Sequence, residues 1–198
     1  MPTHQRILEA AFAAFTEHGF TNTSTLEIAT RAHVSKRELY TLFGNKQDML
    51  VACITSYAQR LRPPPDLPSP STRPELATAL TTYATHLLRE LTSPTVVAIS
   101  RLAIAEATST PAIAQTVEQQ ARAPIRAALV EFFSVARDRQ LLSGDPAEMA
   151  DVFSSQLWGN LFVSLLFGVT KPPTRTQIET RARTATDAML RLYAPKRS

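Results

Sequence analysis

Ser24-Thr25-Leu26-Glu27-Ile28-Ala29-Thr30-Arg31-Ala32-His33-Val34-Ser35-Lys36-Arg37-Glu38-Leu39-Tyr40-Thr41-Leu42-Phe43 is the stretch that decides the fold. Ser24 and Glu27 stand three apart, and so do Ser35 and Glu38. At that spacing a hydroxyl accepts from a free backbone N–H at a helix start while the carboxylate answers the cap's own N–H. Two helices are predicted, one opening at Ser24 and one at Ser35. Ile28, Ala29 and Ala32 give the first a narrow apolar face; Leu39, Leu42 and Phe43 give the second its core side. Only His33 and Val34 lie between them, and histidine tolerates a left-handed backbone better than most residues. Two short capped helices across so tight a turn make a helix-turn-helix.

Upstream, Ile7, Leu8, Ala11, Phe12 and Phe15 recur at helical spacing and predict a helix from Thr3 to His18. Gly19 should end it in a left-handed conformation, with Phe20 folded back on the last turn. Downstream, Asn45 should cap a helix carrying Met49, Leu50, Cys53, Ile54, Tyr57 and Leu61, stopped by Pro63-Pro64-Pro65. The Pro/Ser-rich stretch from Arg62 to Pro74 reads as an exposed linker. Helices are then expected over 74–91, 94–108, 111–140, 146–168 and 174–193, with Pro94, Pro111, Pro146 and Pro172-Pro173 at the breaks and Pro124 kinking or splitting the third. The prediction is an all-α fold of nine helices: a three-helix head over residues 1–45, and a larger helical domain over 46–198.

With 198 residues, 44% apolar and 19% charged, the composition is globular rather than disordered. The one cysteine cannot form an internal disulfide, which fits a reducing cytosol; Cys53, within an apolar stripe, reads as a small core residue. The apolar run from Leu161 to Val169 is broken by Ser164 and Gly168 and falls far short of the ~20 residues that span a bilayer. The N-terminus lacks the pattern of a signal peptide, so the expected location is the cytoplasm, with no membrane partner. His4, His18, His33 and His86 show no metal-ligand spacing, and no phosphate loop or nucleophile motif is present. No enzyme activity, metal or cofactor is expected.

A net charge of +4 permits a nucleic-acid partner without establishing one. The charge is local: Arg31, Lys36, Arg37 and Lys46 cluster around the third helix, where Glu38 is the only acid before Asp48. A helix in the major groove reads base edges from its N-terminal part while neighbouring polar groups hold phosphates. Ser35, Lys36, Arg37, Tyr40 and Thr41 supply donors of that kind, and Arg37 can give two hydrogen bonds to a guanine edge. An ordinary solvated surface helix carries charges too, so charge alone does not decide the matter.

The order of residues adds to it. From Ile7 to Leu50 the chain resembles the TetR/AcrR family of bacterial transcriptional regulators, through Ile7-Leu8-x-Ala10-Ala11, Phe15, Gly19-Phe20, Thr23-Ser24, Ile28-Ala29, Ala32, Val34-Ser35-Lys36, Leu39-Tyr40, Phe43, Asn45-Lys46 and Leu50. The resemblance implies a double-stranded DNA partner with an inverted-repeat operator and a small-molecule effector, with effector binding and dimerisation assigned to the domain over 46–198. By the same resemblance Tyr40 matches a phosphate-contacting tyrosine, and Lys46 a lysine that reaches the DNA backbone. Thr25, Ser35, Lys36 and Thr41 match positions that often touch DNA. Arg37 and Glu38 fall where the family varies. Three positions depart from the family pattern: His33 for a turn glycine, Thr25 for an aliphatic, and Leu42 for an aromatic or histidine.

The rest of the chain resembles little by sequence, but the helix predicted over 146–168 has hardly any polar face and must be buried on nearly all sides. With the last helix it could form a two-fold four-helix interface, placing Trp158, Leu161, Phe162, Leu165, Ile178, Ala185 and Met189 in a homodimer contact. Tyr57, Tyr83, His86, Leu87, Ile99, Leu102, Phe133, Gln156 and Asn160 are the candidates for an effector site, apolar with a few polar groups. The function expected is a ligand-released repressor. Two alternatives stay open: a helical DNA-binding protein without an effector, and a helical ligand-binding protein or enzyme with a relic head.

Overall fold

The computed structural model describes residues 1–63 and 69–195, so part of the expected linker, residues 64–68, lies outside the described residues. Among the described residues all regular structure is helical: α1 Thr3–Asn22, α2 Thr25–Ala32, α3 Lys36–Phe43, α4 Lys46–Ala58, α5 Arg73–Leu91, α6 Pro94–Ala107, α7 Pro111–Val117, α8 Ala123–Asp138, α9 Pro146–Leu166 and α10 Arg175–Leu192. A 3-10 turn, Gln59–Leu61, extends α4. The stretch predicted over 111–140 is two helices, joined by a π turn at Glu118–Arg122. Pro124 explains the division, because it has no N–H to continue the hydrogen-bond ladder from the preceding turn. No helix of the described residues is long and apolar enough to cross a membrane.

The chain sorts into two compact units, Met1–Arg60 with Thr95–Ala121, and Leu61–Pro94 with Arg122–Ser198. In the first, Ile7, Ala11 and Phe15 of α1 are buried in one core with Ile28 of α2, Leu39 and Phe43 of α3, and Met49, Leu50, Cys53 and Ile54 of α4. Ile99, Leu102 and Ala103 of α6 and Ile113 of α7 join it. This unit runs past the expected cut after residue 45, because the apolar stripe of α4 has its partners on α1. Full burial of a side chain such as Leu39 is worth about 1.5–3 kcal/mol.

Local signals set the geometry of that unit. α1 continues to Asn22 rather than stopping at His18, but it is broken at Gly19, whose φ of 76° suits a residue without Cβ. The Phe20 ring folds back to 5.3 Å from that of Phe15. Ser24 caps α2 by accepting from the Glu27 N–H at 3.1 Å, yet the reciprocal bond is missing. The Glu27 carboxylate goes instead to Arg31 at 2.8 Å and His18 at 3.2 Å. At α3 both halves of the capping box form, and Asn45 caps α4 by accepting from the Asp48 N–H at 2.9 Å. His33 takes the left-handed conformation between α2 and α3, with φ 53° and ψ 49°. Leu42, expected on the core side of α3, is exposed. The thiol of Cys53 donates to the Leu8 carbonyl, and burial pushes it up to about 12, as fits a core residue.

In the second unit α5 packs along α10, and α8 along α9. Leu76, Leu80, Tyr83, Leu87, Leu88, Leu129, Phe133, Met149, Phe153, Leu157 and Met189 are among its fully buried side chains. Phe133 and Phe153 meet edge to face, with centroids 5.8 Å apart. Arg73 fastens the start of α5 by donating to the carbonyls of Leu141 and Leu190, both at 2.7 Å. α9 breaks within its length at Gly159, where φ 38° and ψ −129° leave helical space. Arg181 of α10 donates its Nε to the Leu157 carbonyl beside that break.

Candidate nucleic-acid interface

Ser35 fixes where α3 begins. Its hydroxyl accepts from the Glu38 N–H at 3.1 Å, and Glu38 Oε2 accepts from the Ser35 N–H and hydroxyl, each at 2.8 Å. The bond from the Ser35 N–H is the main reason the Glu38 carboxyl sits below the usual glutamate range; its bond to the Ser35 hydroxyl comes next. Glu38 is therefore ionised and spent on the cap. Leu39 and Phe43 anchor one side of α3 in the core, and Lys36, Arg37, Tyr40, Thr41 and Leu42 are left facing solvent.

These groups divide into held and unheld. The Tyr40 hydroxyl and Thr25 Oγ1 lie 3.0 Å apart and tie the start of α2 to the middle of α3. The Thr41 hydroxyl donates to the Arg37 carbonyl at 2.8 Å. Lys36 and Arg37 make no side-chain hydrogen bond or ion pair among the described residues.

The other two cations of the predicted cluster behave differently. Arg31 pairs with Glu17 and Glu27, each at 2.8 Å, so its charge is compensated within the head. Lys46 turns inward: its ammonium donates to the carbonyls of Phe20 at 2.7 Å, Thr23 at 3.0 Å and Thr21 at 3.3 Å, and stands 4.5 Å from the centre of the Phe20 ring. An ammonium has three donors, and these bonds use all of them. The phosphate contact expected of Lys46 would require those bonds to break.

The effector candidates are spread over both units. Tyr57, Ile99 and Leu102 belong to the first; Ile99 and Leu102 are core residues, and the Tyr57 ring packs 5.1 Å from that of Phe12. Tyr83, His86, Leu87, Phe133, Gln156 and Asn160 belong to the second. Tyr83, Leu87 and Phe133 are fully buried, His86 and Gln156 are half-buried, and Asn160 is exposed. The Tyr83 hydroxyl is buried with no hydrogen-bond partner among the described residues, and burial pushes the phenol above its ordinary range. Gln156 lines an open groove of about 430 Å³ with Gln177, Thr180, Arg181 and Thr184.

Of the dimer candidates, Trp158, Leu161 and Phe162 are partly exposed. Leu165, Ile178, Ala185 and Met189 are buried inside the single chain, Met189 completely, and a covered side chain has little surface to offer a second copy. Sequence reasoning left Val163, Phe167 and Val169 out of this set, yet Val163 is exposed and Phe167 and Val169 are each 79% exposed.

Residues 7–53 match the family described as bacterial regulatory proteins, tetR family, and residues 78–195 match the AefR-like transcriptional repressor C-terminal domain. The chain belongs to the TetR family. It is 27% identical over 168 residues to YvkB of Bacillus subtilis (strain 168), an uncharacterized HTH-type transcriptional regulator, covering 84% of this chain and 85% of that one. A TetR transcriptional regulator from Agrobacterium tumefaciens is similar in structure, with a TM-score of 0.81, 26% identity and coverage of 98% of this chain and 94% of that one. So is the flavonoid-responsive regulator FrrA, with a TM-score of 0.79, 28% identity and 98% of each chain covered. As a TetR-family protein the chain is a DNA-binding transcriptional regulator, in a family that is not enzymatic.

Proposed function

We propose that this TetR-family protein is a homodimeric repressor that grips an inverted-repeat operator with two copies of α3 and lets go when a small molecule binds its C-terminal helices. Lys36 and Arg37, uncompensated on a helix whose opposite side is locked into the core, are the observation that carries the DNA part. Arg37 reads a base edge, and Lys36 and the Tyr40–Thr25 hydroxyl pair hold the backbone around it, while Ser35 and Thr41, whose hydroxyls donate to Glu38 and to the Arg37 carbonyl, fix the shape of α3. Repression is supported by the match to an AefR-like repressor domain. Dimerisation is supported by the exposed apolar run Val163, Phe167 and Val169 next to half-exposed Trp158, Leu161 and Phe162, a patch of the kind that marks an interface.

The effector part rests on Tyr83. A buried hydroxyl without a partner loses its hydration and gains nothing in return, a cost of roughly 1–3 kcal/mol. A ligand carrying a hydrogen-bond acceptor that reaches Tyr83 removes that cost, and the aromatic groups of the same unit, Phe133 and Phe153, favour a flat, largely apolar one. The likeness to a flavonoid-responsive regulator supports the same class. Release follows if the ligand prefers a conformation in which α4 is tilted, because α4 packs on α1 and its motion moves the head.

Duplex from upstream of the protein's own gene, titrated in a mobility-shift assay with and without flat phenolic compounds, tests the proposal. A ligand should weaken operator binding about 5- to 150-fold, the range of a typical coupling energy. Tyr83→Phe should blunt that response, leave ligand-free DNA binding unchanged, and raise the melting temperature. If no compound that binds the chain changes operator affinity, the effector part is wrong.

A further inference from the structure

Arg6 of α1 is a cation that the head leaves without a partner. It forms no hydrogen bond or ion pair through its side chain among the described residues. Its Nε is buried and unsatisfied, whereas its terminal nitrogens reach solvent. A guanidinium with one nitrogen sealed off has lost part of its hydration, and in most proteins a carboxylate nearby would compensate it.

The start of α1 runs beside α3. His4 stacks on Phe43 with ring centroids 4.6 Å apart, and Ile7 shares the core with Leu39. Arg6 lies between those two contacts in sequence, and its charge is felt by Glu38. Glu38 holds the Ser35 N–H and hydroxyl through Oε2 and makes no ion pair with Arg6. The one acid of α3 is turned to the cap and acts on Arg6 only at a distance, so the guanidinium's terminal N–H groups have no acceptor among the described residues of the head.

We propose that Arg6 is a second DNA-backbone contact: its free terminal nitrogens take a phosphate of the duplex that α3 occupies. This rests on the DNA-binding role of the family. It also redistributes the charges of the head, since Arg6, absent from the cluster seen in sequence, supplies a free cation where Lys46 is held by three carbonyls. A guanidinium suits the task because two of its N–H groups can face two phosphate oxygens at once.

Binding of the full-length protein to a short mixed-sequence duplex, measured over a range of salt concentrations, reads a phosphate contact independently of base sequence. Arg6→Gln should flatten the plot of log affinity against log salt by about one contact, a slope change near 0.9, while Arg6→Lys keeps most of the slope. An unchanged slope in Arg6→Gln overturns the proposal, including the case in which only its melting temperature falls. A second measurement needs no variant: arginine-selective dicarbonyl labelling of the native chain, read by mass spectrometry, with and without the same duplex. Arg6 should be protected by DNA while Arg175, on α10, is not. Equal labelling of Arg6 in both states overturns the contact. If the parent chain binds no duplex at low salt, the DNA-binding role itself fails, and the Arg6 contact fails with it.

Discussion

In the proposed function the helix-turn-helix face and the α9–α10 region are both surfaces that meet something larger than a small ligand, and they are built in opposite ways. On the first, polar signals dominate. Hydroxyls cap α2 and α3, Lys46 fastens the end of α1, and the exposed residues are mainly donors and cations. On the second, Val163, Phe167 and Val169 stand out in solvent; its polar groups, the Asp145 and Thr174 caps and Arg181 at the Gly159 break, serve the helix ends and the break rather than that apolar patch. A polar face has to keep its donors in fixed places, because a hydrogen bond fails over a few tenths of an ångström. An apolar face needs area and shape, since burial is non-directional. Substitutions on the two should therefore fail differently.

The largest effect is expected on the apolar side. Leu161→Asp places a carboxylate in the proposed dimer contact, where an unpaired buried charge costs about 3–5 kcal/mol. Sedimentation should show a monomer whose helical content is intact; a dimer after this change would move the interface elsewhere. On the head, Lys46→Ala removes a partly exposed ammonium that donates to three carbonyls, at a cost of about 1.5–3 kcal/mol once water's competition for the site is allowed for. Its thermal midpoint should drop while the salt slope of DNA binding holds. A slope lower by about one with an unchanged midpoint would return Lys46 to the phosphate role.

The smallest effect concerns the cap. Ser35→Ala should cost about 1 kcal/mol, seen in thermal melting. It should also alter the acid limb of stability. Glu38 has its carboxyl lowered by the bonds from Ser35, so its contribution is present above the ordinary glutamate value of 4.5 and is lost as pH falls through the lower folded value. The variant, without the hydroxyl bond, should lose less stability over that acid window. Identical acid limbs in the two proteins would separate Glu38 from the cap.

Much of the head was legible because its signals are local. A capping box needs four residues, and Ser35 to Glu38 contain the whole interaction. The turn at His33 and the break at Gly19 are likewise written within a few residues. What sequence did not show depends on which element comes next in space. The Glu27 carboxylate fits a capping box by spacing, but Arg31 and His18 compete for it and win. Leu42 follows the apolar pattern of α3 yet faces solvent. Nothing in the pattern of α1 says that Arg6 adjoins Glu38, or that the Phe20, Thr21 and Thr23 carbonyls converge on Lys46 from more than twenty residues away. In the second unit, apolar periodicity marked α9 as buried without saying which side the chain covers itself. Met189 and Leu165 went inward, and Phe167 was left outside.

Hydroxyl-radical footprinting of the upstream DNA tests most directly whether two α3 helices, held as a pair, face the duplex. Two protected tracts should appear on an inverted repeat, their centres one helical turn of about 34–36 Å apart or a multiple of it. A single protected tract, or none at low salt, would contradict a paired head.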